Sequence, residues 1–153
     1  MEVKLIEPIS RKLNVLGRAY LSALNDHMEH LEINRYYYPL TVICYYDGQL
    51  TQKALAEKLG KDKSIIVKII DTLADKGFVF RQINPDDRRQ HLLGVTEKAK
   101  KAFPHIVKTF ERMNRSASKN ISAHDMEIFE SVLNKMKDNL IDFTTPDLVT
   151  KTI

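Results

Sequence analysis

Cysteine is nearly absent: the chain of 153 residues carries one, Cys44. A lone thiol excludes an internal disulfide framework and suits a reducing compartment. Long hydrophobic runs are missing too, and nothing approaches the roughly 18–20 apolar residues that cross a bilayer. The first residues, MEVKLIEPIS, lack a basic leader followed by an apolar run, so no signal peptide is expected. The expectation is a cytoplasmic protein with no membrane partner. Histidine is sparse, with five residues, and no Cys-rich or clustered His set offers a full metal shell. His27 and His30 stand three apart, close to Glu29 and Glu32, which fits an exposed polar helix end better than a metal site. Neither a metal nor a cofactor is expected. With no phosphate-binding loop and no nucleophile–base set, the sequence argues against an enzyme. Internal repeats and low-complexity linkers are lacking as well.

The composition that remains is that of an ordinary globular protein, 43% hydrophobic and 29% charged. Its net charge of +4 is unevenly spread. Between Thr51 and Lys101 there are 12 Lys and Arg against 7 Asp and Glu, while the remainder carries 12 against 13. The whole positive excess lies in the middle third, as expected where one segment meets a polyanion.

Apolar residues at Ile9, Leu13, Leu16, Tyr20, Leu24, Met28 and Leu31 step by threes and fours and predict a long amphipathic helix after Pro8. Pro39 opens a short apolar helix over Leu40 to Tyr46, ended by Asp47-Gly48. Thr51 can cap a helix from Gln52 to Leu59 that stops at Gly60, and another runs from Lys63 to about Lys76. Phe78 to Ile83 reads as a strand, Asn84-Pro85-Asp86-Asp87 as a turn, and Arg88 to Val95 as the returning strand. Thr96 restarts helix through Phe103, Ile106, Phe110 and Met113, with Pro104 inside it. Ser122-Ala123-His124-Asp125 resembles a capping box ahead of a last helix that reaches Phe143.

Two short helices therefore meet at Gly60. Leu55, Ala56 and Leu59 on the first face Ile66, Ile69, Ile70 and Leu73 on the second, and Ala56 permits a close crossing. The outward side of the second helix carries Lys61, Ser64, Lys68 and Thr72, with Lys63 beside them. Short polar and cationic groups on such a face suit a major groove. The hairpin ends in Asp86-Asp87-Arg88-Arg89. Two adjacent carboxylates on an exposed turn make a poor water-excluding catalytic pair. An Asp that holds an Arg in shape, with a guanidinium reaching a minor groove, fits better.

These pieces, LTQKALAEKLGKDKSIIVKIIDTLADKGFVFR followed by NPDDRRQHLLGVTEKAKK, resemble the winged helix-turn-helix of the multiple-antibiotic-resistance regulator (MarR) family. The Asp-Arg-Arg wing, with a Val-Thr pair and a helix after it, is the most specific element, and the flanking helices match in order and length. The resemblance implies a mainly α fold with a small β-hairpin wing and a homodimer joined through long N- and C-terminal helices. On that pattern 1–34 and 102–145 form the dimerisation region, 36–101 the winged domain and 146–153 a tail. It further implies a transcriptional repressor on a palindromic double-stranded operator. Thr51, Gln52, Lys61, Lys63, Ser64, Ile65 and Lys68 would meet the DNA, Arg88 or Arg89 would serve as wing finger, and Asp87 would buttress the wing. Many relatives have threonines where this chain has Ile65 and Val67, which leaves the operator open, and Ala99 stands where glycine is common.

Family members often release DNA on binding a small phenolic or aromatic effector. Tyrosines crowd the relevant region, and Tyr20, Tyr37, Tyr38 and Tyr45 are the candidates to line such a pocket, although they fit better as amphipathic core residues with wet hydroxyls. Cys44, in an apolar run without neighbouring cations, reads as buried filler rather than a peroxide sensor. The competing reading is a winged-helix module that grips protein partners without specific DNA binding.

Overall fold

The computed structural model describes residues 4–144; the expected tail at 146–153 lies outside them. The chain divides into two compact units, one running through Met113 and one from Asn114.

The first unit opens with helix α1, Ile9–Met28, whose N-cap is Pro8 at φ −68°. Proline fits there because the missing N–H has no helical acceptor in any case. A single 3-10 turn, Glu29–Leu31, follows, and positive φ at Glu32 and Asn34 turns the chain away. Helix α2 spans Tyr37–Tyr45, starting earlier than the proline suggests. Pro39 is its third residue, still within the first turn, where a donor is dispensable; Leu40 N–H makes the bond to Tyr36 O at 3.0 Å.

After the Asp47-Gly48 turn comes a two-residue strand, β1 Leu50–Thr51. It is followed by α3 Gln52–Leu59, α4 Lys63–Asp75, β2 Val79–Ile83, β3 His91–Val95 and α5 Glu97–Ala117. The sheet order is β1-β3-β2, all antiparallel, with Leu50 opposite Leu93 and Arg81 opposite Leu93 on the other side. The hairpin alone was expected; the third strand is a finding. It is fastened by Gly48 N–H to Leu93 O and by Val95 N–H to the Asp47 carboxylate, both at 2.9 Å.

The return strand begins at His91 rather than Arg88. Asn84 N–H closes the loop on Gln90 O at 3.1 Å, and Asp87 takes the Arg89 and Gln90 donors, so this backbone turns instead of pairing. Thr96 joins the hairpin to α5: its hydroxyl donates to Gly77 O at 2.7 Å and accepts from Ala99 N–H at 3.3 Å.

One apolar core ties this unit together. Ile66, Ile69, Ile70 and Leu73 of α4 are buried with Leu55 of α3, Phe78 just before β2, Leu93 of β3, Leu40 and Ile43 of α2, and Ile106 of α5. Leu24 and Met28 of α1 complete it.

In the second unit α6 spans Ala123–Thr144. The Ser122 hydroxyl accepts from Asp125 N–H at 3.0 Å and donates to the Asp125 carboxylate at 2.7 Å. The side chains thus pair with each other, because Asp, a methylene shorter than Glu, meets the hydroxyl instead of the cap's own N–H.

Candidate nucleic-acid interface

The helix-turn-helix forms as local chemistry dictates. Thr51 Oγ1 accepts from Ala54 N–H at 3.1 Å and caps α3. Gly60, at φ 57°, ends the helix in the left-handed region, and Lys61 N–H reaches back to Ala56 O at 3.1 Å. Asp62 then stands at the N-cap of α4 without a side-chain bond.

With four aliphatic residues of α4 buried, its opposite face is committed to solvent. Lys61, Lys63, Ser64, Ile65 and Lys68 are all exposed. Ile65, 43% exposed, points outward rather than into the core. None of the Lys61, Lys63, Ser64 and Lys68 side chains has a hydrogen bond or ion pair within the described residues, so their donors are free for an incoming acceptor. Thr72 differs: it is half-buried and donates its hydroxyl proton to Lys68 O at 2.8 Å.

The wing is ordered by Asp87. One carboxylate oxygen accepts from Arg89 N–H at 3.1 Å and Arg89 Nε at 3.4 Å; the other accepts from Gln90 Nε2 at 3.0 Å. The backbone bond from Arg89, aided by both side-chain donors, holds the Asp87 carboxyl below the usual carboxylate range. Arg89 is 92% exposed and keeps its terminal guanidinium nitrogens outward. The Arg88 guanidinium has no partner among the described residues.

Sequence reading missed Arg81. From β2 its Nε donates to Gln52 Oε1 at 2.6 Å and its Nη2 to Asp71 Oδ1 at 2.7 Å, bridging the start of α3 to the middle of α4. Its partners lie 29 and 10 residues away, which no local pattern signals.

The four candidate tyrosines are not gathered at one place. Tyr37 is buried, with its hydroxyl 3.4 Å from Met28 O, and burial followed by the Glu29 charge pushes its pKa up. Tyr20 packs against the core half-buried, and Tyr38 is exposed. Tyr45 borders an open, mostly apolar cavity of about 950 Å³ with Thr41, Lys101, Phe103, Pro104 and Lys108. Tyr37 instead touches a smaller acidic concavity of about 460 Å³ with Asp26, Glu29 and Glu32. The His27 ring donates Nδ1–H to Ala23 O at 2.8 Å, and the His30 ring lies 5.5 Å from His105. Among the described residues no group of three or more His, Cys, Asp or Glu is placed to hold a metal. No described helix is long and apolar enough to cross a membrane.

A helix-turn-helix backed by a three-stranded sheet with an arginine-tipped loop defines a winged helix-turn-helix protein. The MarR family model matches residues 40–91, and over that segment the chain is similar to a family of transcriptional regulators. The uncharacterized HTH-type transcriptional regulator YybA of Bacillus subtilis is 24% identical over 132 residues, which are 86% of this chain and 88% of that protein. The structure of the transcriptional regulator SlyA superposes with a TM-score of 0.79 at 26% identity, covering 88% of this chain and 94% of the other. A Listeria monocytogenes protein complexed with 26mer DNA gives 0.78 at 26% identity, covering 90% and 91%.

Proposed function

We propose that this protein is a cytoplasmic homodimeric repressor that reads a palindromic DNA operator with α4 in the major groove and the wing in the minor groove. The observation that carries the reading is the unpaired donor face of α4, Lys61, Lys63, Ser64 and Lys68, standing in the same unit as the Asp87-ordered arginine wing. Groups already bonded internally would have to break those bonds to meet DNA; these do not. The Listeria monocytogenes relative, solved with DNA, supports the same use of the fold. Thr51 and Gln52, at the start of α3, serve as backbone-phosphate contacts, and Ile65 offers an apolar surface to a thymine methyl. Arg89 is the wing finger, because Asp87 holds its Nε side and aims the rest outward; Arg88, untethered, contacts phosphate.

The dimer rests on 1–34 and 102–145, with 36–101 as the DNA-binding part. A small phenolic or aromatic effector is accommodated by the cavity beside Tyr45, where an apolar wall meets Lys101, Lys108 and Glu111, a match for a ring bearing polar groups.

Selection of bound duplexes from a random pool, followed by titration at two salt concentrations, tests the reading. The expected result is an enriched palindrome with half-sites about one helical turn apart, bound with affinity that falls steeply with salt. Salt-sensitive binding without any enriched sequence would overturn it.

A further inference from the structure

We infer that Arg81 is a positioning residue for DNA binding, fixing the Gln52 amide with its oxygen inward and its NH2 outward as a dedicated phosphate donor. The inference deepens the DNA-binding reading and rests on it. Guanidinium nitrogens only donate, so a 2.6 Å contact with Arg81 Nε can be made by the amide oxygen of Gln52 and not by its nitrogen. An unrestrained glutamine amide presents either end to solvent; this one, half-buried at the start of α3, has its oxygen bonded and its two N–H donors without a partner among the described residues. The bond thereby removes the acceptor, which would repel a phosphate, and keeps the donors, which attract it.

The other arm of the same guanidinium acts on α4. Asp71 lies one turn beyond Lys68, close to the exposed donor stripe, and its carboxylate is 53% exposed. Left alone it would oppose an approaching backbone phosphate. Arg81 Nη2, 2.7 Å away, neutralises it. Arg suits both tasks because its nitrogens form a rigid planar fork, which the single ammonium of lysine does not reproduce.

The test is a double-mutant cycle on the selected duplex, with Arg81→Met, Gln52→Ala and the pair, alongside nuclear magnetic resonance of the free protein. Arg81→Met is expected to weaken binding roughly three- to tenfold, the scale of one hydrogen bond. In the Gln52→Ala background it should cost markedly less, since the amide it positions is gone. A purely structural role for Arg81 predicts equal losses in both backgrounds, and that result would overturn the inference. Gln52→Glu covers the case in which Arg81→Met fails to fold. It keeps a partner for Arg81, so melting temperature holds, yet it replaces outward donors with an acceptor, so affinity falls; unchanged affinity would overturn the inference. Without DNA, Arg81 Nε–H should exchange with solvent more slowly than Arg88 Nε–H and lose that protection in Gln52→Ala. Wild-type protein that binds no duplex sinks the DNA reading and this role together, whereas an unprotected Arg81 Nε–H in a protein that binds DNA sinks this role alone.

Discussion

Cys44 sits half-buried on α2, and burial, helped by the Asp47 charge, pushes its thiol up to about 11. At neutral pH it is therefore protonated and a poor nucleophile. Alkylation by iodoacetamide should be far slower in the folded protein than in guanidinium, and peroxide treatment should leave duplex affinity unchanged. The folded thiol titrates above its ordinary value of 9.0, so its contribution to stability is full below that value and is lost as pH rises toward about 11. Melting temperatures across that window should fall less steeply in Cys44→Ala. An equally steep fall in both proteins would place the alkaline loss on other groups.

A second single-residue constraint lies at Gly94. A Cβ built there would stand 2.5 Å from Phe80 Cζ and 2.7 Å from Phe80 Cε2, because the far end of the Phe80 ring packs against the glycine. Phe80 is itself 44% exposed and can swing away at the cost of that contact. Gly94→Ala should destabilise by about 1 kcal/mol, the low end for overpacking, and should do so far less in a Phe80→Ala background. Equal losses in the two backgrounds would put the crowding in the strand backbone.

Legibility at the level of elements follows the range of the forces that set them. Thr51 and Gly60 bound α3 where the sequence predicts, since a cap and a left-handed stop are decided within four residues. The apolar stripe of α4 is equally plain, and with it the exposed donor face. What stayed hidden depends on distant partners or on short elements. A two-residue β1 offers no alternation to read, and is defined only by pairing with Leu92 and Leu93. Thr72 looks like part of the outward face until its bond to Lys68 O is seen. The wing is the mixed case: its turn residues are legible, but which arginine Asp87 holds is not. Asp87→Ala should leave the melting temperature of the winged segment nearly unchanged while weakening duplex binding, because the loop loses three hydrogen bonds to that carboxylate. Since the folded carboxyl titrates low, its ordering effect is present above the ordinary carboxylate pKa and disappears as pH falls through the depressed value. The protection of the Arg89 amide relative to its intrinsic exchange rate should fall in acid over that range in the wild type and be low throughout in Asp87→Ala; protection that survives in the variant would show that the backbone alone shapes the tip.

For the whole molecule the decisive observation is apolar surface left bare. The stripe of α1 is covered from Tyr20 onward by the core of its own unit, yet Ile9, Leu13 and Leu16, on the same stripe, are 63%, 39% and 54% exposed. In the second unit α6 likewise exposes Ile128, Phe129, Val132 and Leu140. Apolar surface repeated on this scale on two long helices is unusual in a monomer and typical of an interface. If a second copy covers it, a charge placed on either helix must separate the protomers without unfolding the winged segment, whose core lies elsewhere. Leu13→Glu with Leu16→Glu, and independently Val132→Glu, should bring the light-scattering mass down from twice the chain's 17.7 kDa toward 17.7 kDa. Circular dichroism should keep most of its helical signal. Affinity for the palindrome should drop by about two orders of magnitude or more, because each half-site then binds without the effective concentration that the partner's contact supplies. Affinity for a single half-site should be nearly unaltered. A wild-type protein that is already monomeric at micromolar concentration, or variants that remain dimers, would remove α1 and α6 from the interface and leave their bare stripes without that explanation.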